Sequence, residues 1–250
     1  YGSNRIAETG NVDFCYNEVW GDEDQFKDLY TIIKTNDMNS NHTLKSIFAA
    51  YMNYECSNRE FNIPGVLLTD AVIFALGGAH LELGDHMLCR EYFPSQDVKM
   101  SPALKTLIVR YYDFMTAYQN LLRGESSKAE VQVEVVSTAT RKVPFNNWPP
   151  KEASVTTYAK KIGGRTIINF LNFRTVDNLS WRDLKGTRPA PAKVIKSPVK
   201  IKYDAKATKV WVASPDQHAG AAQELAFTQE NGYISVVLPS LEYWTMLVIE

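Results

Sequence analysis

Hydrophobic positions in the first half of the chain fall into short apolar runs separated by longer stretches of helical period. Residues 11–21, NVDFCYNEVWG, carry Val12, Phe14, Cys15, Tyr16, Val19 and Trp20 with one late carboxylate, Glu18, and have the composition of a buried strand. Residues 22–37 follow, with Phe26, Leu29, Tyr30, Ile32 and Ile33 at helical spacing. Asp22, Glu23 and Asp24 are expected in the first turn of that helix, where carboxylates suit its dipole. Residues 44–54 (LKSIFAAYMNY) predict a second strand. Residues 66–76 predict a helix stopped by Gly77-Gly78, and residues 79–83 (AHLEL) a third short strand. Ser101 and Pro102 mark the start of an amphipathic helix over 103–123, closed by Gly124.

Beyond Gly124 the period changes to short alternating or apolar runs at 131–136, 154–160, 165–173, 199–203, 209–213, 232–238 and 243–249. Gly163-Gly164 and Asn231-Gly232 are hairpin-turn signals. Residues 182–200 contain Pro189, Pro191 and Pro198 and read as a long loop. These patterns predict α/β followed by all-β: residues 1–124 as the C-terminal part of a parallel (β/α)8 TIM barrel, and residues 125–250 as an antiparallel β-sandwich domain. A doubly wound sheet fits the same alternation, but no glycine fingerprint for a dinucleotide or phosphate follows any strand.

Composition narrows the partners. Lys plus Arg number 27 against 28 Asp plus Glu, so there is no electrostatic footprint for nucleic acid or anionic lipid. The 250 residues, 45% apolar, can bury a sizeable core. Cys15, Cys56 and Cys89 lie far apart with no CxxC pair, which argues against a zinc site or a disulfide scaffold and for free, buried thiols. No apolar run reaches membrane-spanning length and no signal-peptide pattern opens the chain. With Tyr1 so close to a strand, the chain is expected to be part of a longer protein.

Active sites of parallel barrels lie at the C-terminal strand ends, so Glu18, Asn53 to Glu55 and His80 to His86 are expected on one rim. Ionised carboxylates are costly to desolvate; Glu18 is either a strand-end ion-pair partner or a general acid. Sugar rings present C–H faces to Trp or Tyr and hydroxyls to Asn, Asp, Glu and His. Tyr16, Trp20, Tyr51 and Tyr54 supply the first kind. Asn17, Asn53, His80, Glu82 and Asp85 supply the second. Each has a structural alternative: Asn53 and Tyr54 as loop caps, His80 as a satisfied core histidine, Glu82 and Asp85 as partners of Arg59 or Arg90. No cofactor or metal is implied.

NVDFCYNEVWG, the strand ending MNYE and GGAHLELGDHMLCREYFP resemble the C-terminal half of the dextranase and cycloisomaltooligosaccharide glucanotransferase family, glycoside hydrolase family 66. SLEYWTMLVIE resembles the close of the β-domain that follows the barrel there. The resemblance implies cleavage of α-1,6-linked glucan with retention, an exported enzyme, and isomaltooligosaccharides or glucan polysaccharide as partners. It also implies that the Glu matched by Glu18 is the acid/base, with an Asp on an earlier strand as nucleophile. No Asp here matches that motif, so the nucleophile and the first strands of the barrel are expected upstream of Tyr1, and the 250-residue chain alone is expected to be inactive. An amylase-like retaining α-glycosidase and a non-catalytic carbohydrate-binding protein are the competing readings.

Overall fold

A computed structural model describes residues 3–19, 21–81, 89, 98–124 and 130–250. By contact density the chain divides into two compact units: Tyr1–Ser127 with Leu179–Pro189, and Lys128–Asn178 with Ala190–Glu250.

The first unit holds a three-stranded parallel sheet, β1 (Cys15–Val19), β2 (Ser46–Ala50) and β3 (Ala79–His80), in the order β1-β2-β3. Helix α1 (Ser3–Glu8), which no local pattern announces, precedes β1. Helix α2 (Phe26–Asn39) buries Phe26, Leu29 and Ile33 at helical spacing, and Asp28 accepts the Gln25 backbone N–H at 2.9 Å to close its first turn. It starts four residues later than expected. Residues 24–26 are instead held extended by the returning segment: Phe26 N–H donates to Leu179 O and Trp181 N–H to Asp24 O. Those three carboxylates therefore precede the helix.

Helix α3 (Ile63–Ala75) opens on Pro64 and is buried on every side from Gly65 to Ala75, as a helix wrapped by a sheet and its neighbours must be. A Cβ at Gly65 would lie 2.4 Å from Asp183 Oδ2, so glycine lets the returning segment approach the helix. Strand β2 is shorter than expected because Asn53, at φ 53°, turns the chain out of the sheet. Helix α4 (Pro102–Ala117) begins as expected, with Ser101 Oγ accepting Leu104 N–H at 3.2 Å, but breaks at Tyr118 before a last turn, α5 (Gln119–Leu122).

The second unit is a sandwich of two sheets. The strands are β4 (Glu130–Val131), β5 (Val135–Ser137), β6 (Phe145–Asn147), β7 (Val155–Ile162), β8 (Arg165–Asn172), β9 (Ser197–Lys202), β10 (Val210–Ala213), β11 (Gln223–Glu224), β12 (Phe227–Glu230), β13 (Tyr233–Leu238) and β14 (Trp244–Ile249). One sheet has the order β11-β10-β14-β8-β7-β4, with β6 added to β7; the other is β12-β13-β9-β5. All pair antiparallel except β6 with β7. Alternate residues of both sheets make the core: Val155, Ala159, Ile168, Phe170, Val210, Val212, Leu247 and Ile249 against Val199, Ile201, Ile234, Val236 and Leu238. Gly163-Gly164 and Asn231-Gly232 form the two-residue hairpin turns expected of them, all four at positive φ.

The parallel strand and helix alternation and the β-sandwich are thus present. Among the described residues the parallel sheet has three strands and does not close into a barrel.

Candidate active site

Strand parity decides which side chains can meet a substrate. Along β1, Cys15, Asn17 and Val19 face α2, while Tyr16 and Glu18 face the other side, where both are exposed. Asn17 Oδ1 accepts Asn36 Nδ2 of α2 at 2.6 Å, and the same amide donates to Ser46 Oγ of β2 at 2.9 Å. Its position one residue before Glu18 turns Asn17 to the helix side of the sheet.

The face bearing Glu18 is made of aromatic and small residues. Phe14 and Tyr16 are 51% and 40% exposed, and parallel pairing sets Tyr16 beside Ile47 and Glu18 beside Ala49. The Tyr16 hydroxyl donates to Glu18 Oε1 at 2.9 Å. Partial removal of that phenol from water raises its pKa well above the ordinary tyrosine value. The bond to Glu18 and the adjacent Tyr51 raise it further. Tyr16 is therefore a standing donor. Glu18 lies one residue from the C-terminal end of β1, with one carboxylate oxygen fixed by this bond.

His80 stands elsewhere. It pairs with Phe48 on β2 and shares its helix-facing side; its side chain is 0% exposed, with Nδ1 2.7 Å from Asp70 Oδ1 of α3 and Nε2 3.1 Å from Ala50 O. A carbonyl only accepts, so Nε2 carries a proton. Its register places the His80 side chain on the helix side of the sheet, the position that the core-histidine alternative describes. Asn53 is also buried and engaged: Nδ2 donates to Asp183 O at 2.5 Å and Oδ1 accepts Asn62 N–H at 2.9 Å, which ties three loops together. Tyr54 is half-buried in the turn after β2, close enough to Arg182 to act on its charge. Trp20, Glu82 and Asp85, together with most of the GGAHLELGDHMLCREYFP stretch, lie outside the described residues.

The residue that sequence reasoning passed over is Arg182. It is buried, stacks on Trp181 at 4.4 Å, and donates to Val19 O and Gly21 O at 3.2 and 3.4 Å and to Tyr51 O at 3.5 Å. Burial lowers its pKa, while Tyr54, Asp24 and Glu23 oppose that. Trp181 Nε1 donates to Glu23 O at 2.8 Å. The signal was present as WRDLKG, an aromatic and charged cluster inside a proline-rich loop, but nothing local says where it packs. Among the described residues no group of three or more His, Cys, Asp or Glu is arranged to hold a metal ion. Cys15 and Cys89 are buried and Cys56 is partly exposed.

Comparison with known proteins adds what this geometry cannot. A cycloisomaltooligosaccharide glucanotransferase of Niallia circulans is 32% identical over 204 residues, covering 76% of this chain and 20% of that protein. A dextranase of Streptococcus salivarius is 27% identical over an alignment of 291 residues, covering 95% of this chain and 35% of that protein. The crystal structure of a Paenibacillus sp. cycloisomaltooligosaccharide glucanotransferase complexed with cycloisomaltoheptaose superposes with a TM-score of 0.84 at 19% identity, covering 99% of this chain and 54% of that one. That likeness shows a shared fold. The chain thus spans a fifth to about a third of the length of these curated relatives. The Glycosyl hydrolase family 66 profile matches residues 1–248, and the chain belongs to that family.

Proposed function

We propose that the complete protein is a retaining glycoside hydrolase or glucanotransferase acting on α-1,6-linked, dextran-type glucan, with Glu18 as its general acid/base. The observation that carries this reading is the position of Glu18, on the face opposite α2 at the C-terminal end of a parallel strand, with Tyr16 bonded to one oxygen. The relatives' names support the substrate class: dextranase, and a glucanotransferase complexed with cycloisomaltoheptaose.

In this reading the three parallel strands are the C-terminal part of a (β/α)8 barrel. The remaining strands, including one that bears a nucleophilic Asp, come from the rest of the protein and cover the face that exposes Phe14 and Tyr16. Glu18 Oε2 gives its proton to the glycosidic oxygen, which keeps the electron pair of the breaking C1–O bond while the Asp carboxylate bonds to C1. Glu18 then takes a proton from water or from a sugar hydroxyl, and that oxygen displaces the Asp. Tyr16, Tyr54, Trp20, Glu82 and Asp85 remain the candidate sugar contacts. Glucans of this size do not cross a membrane freely, so the enzyme is expected to work outside the cell.

The test is the anomeric form of the first product released by the complete protein, read by proton NMR before mutarotation. Retention is expected; an inverted product would rule out the double-displacement role of Glu18.

A further inference from the structure

We propose that Tyr16 is a positioning residue for Glu18, whose bond to Oε1 makes Oε2 the oxygen that carries the catalytic proton. The inference rests on the acid/base reading of Glu18 and deepens it. The two oxygens of a carboxylate are equivalent and either can take the proton, and a glycosidase needs it on the one that faces the leaving group. Tyr16 and Glu18 are two residues apart on β1 and so share a face, and the hydroxyl lies 2.9 Å from Oε1. A neutral phenol donates to whichever oxygen it touches, so Oε1 is engaged as an acceptor whether or not Glu18 is ionised.

Tyr51 makes this arrangement directional. It is buried at the end of β2, on the side facing Tyr16, and acts on the Tyr16 phenol together with Glu18. Because Tyr16 holds its own proton more firmly than an ordinary tyrosine, it remains a donor from acid to mildly alkaline pH. The side chains of this face are Phe14, Tyr16 and Glu18 from β1 and its approach, Ile47, Ala49 and Tyr51 from β2 and its exit, and Ala79 from β3. Among the described residues the titratable ones are therefore Tyr16 and Tyr51. Arg182 is the charged group that packs on the same strand ends, through backbone carbonyls. A donor bonded to a carboxylate favours its ionised form, so loss of the donor is read in the pH dependence of turnover.

The test measures kcat/KM against pH for the complete protein on an α-1,6-linked oligosaccharide. Tyr16→Phe removes the donor, and the basic limb is expected to move up by about half to one pH unit, with kcat lowered about tenfold and KM little changed. Replacing Tyr16 by 3-fluorotyrosine keeps the shape and strengthens the donor; the same limb is then expected to move down. A purely structural role predicts neither shift, still less shifts of opposite sign. Glu18→Gln separates the two ideas. Unchanged turnover in Glu18→Gln would remove the acid/base reading and the proposal with it. Lost turnover there, with a basic limb that stays within about 0.2 unit of wild type in both Tyr16 variants, would overturn the positioning role alone.

Discussion

The guanidinium of Arg182 donates to the carbonyl of Val19 at 3.2 Å, one residue beyond Glu18 on the same strand. Through Gly21 and Tyr51 the same group gathers the exits of β1 and β2, so a residue 163 positions beyond Val19 in sequence holds the strand end next to the candidate acid/base. Arg182→Met is expected to cost about 1.5–3 kcal/mol, since it strips charged donors from buried carbonyls. Arg182→Lys should not restore that loss, because an ammonium cannot present the planar fork. Urea unfolding of both variants checks this, and wild-type stability in Arg182→Lys would contradict it.

Gly65 and Asp183 meet so closely that any side chain at position 65 must displace the Asp183 carboxylate. Gly65→Ala is expected to destabilise the fold by about 1–3 kcal/mol. Asp183 sits at φ 41°, a conformation glycine accepts readily, so Asp183→Gly offers a partner variant that clears the space. In a double-mutant cycle the Gly65→Ala cost should shrink when Asp183→Gly is present. Additive effects would show that the contact is not what excludes a Cβ.

How much of this was legible in the sequence depends on whether the determinant is local. The two hairpin turns were visible because their glycines supply positive φ, and α4 was visible because Ser101-Pro102 starts a helix wherever it stands. Strand β12, reading FTQE, gave no apolar run to recognise. The start of α2 was misplaced because its carboxylates are held out of the helix by residues 179–181, a pairing no window of sequence contains. Glu18 could be singled out as a carboxylate on an apolar strand. That Asn17 faces the other way followed from strand parity alone and was available. That His80 lies behind the sheet required the β2–β3 register, which sequence does not print.

For His80 the buried bond to Asp70 implies a stability role. His80→Gln in the complete protein is expected to lower stability by about 3 kcal/mol while leaving KM for the glucan unchanged. A raised KM in a variant of normal stability would return His80 to the sugar-contacting set.

Tyr243 offers a pH test of the second unit. Burial pushes its phenol above the ordinary value of 10.0, and Glu242 and Asp216 add to the effect. The folded state therefore holds the proton more tightly than the unfolded state. This contribution is complete below about pH 10 and is lost as pH rises past the unfolded pKa toward the folded one. Tyr16 titrates in the same sense. Urea midpoints taken from about pH 8 to about pH 11 should fall, and Tyr243→Phe should flatten the fall. An equal slope in that variant would place the alkaline sensitivity elsewhere.

Glu18→Gln in the complete protein addresses the central claim directly. The amide keeps the shape and the bond to Tyr16 but has no proton to give, so turnover of dextran should drop by about 10²- to 10⁴-fold while dextran binding is retained. Turnover at the wild-type rate would contradict the assignment of Glu18 as the acid/base.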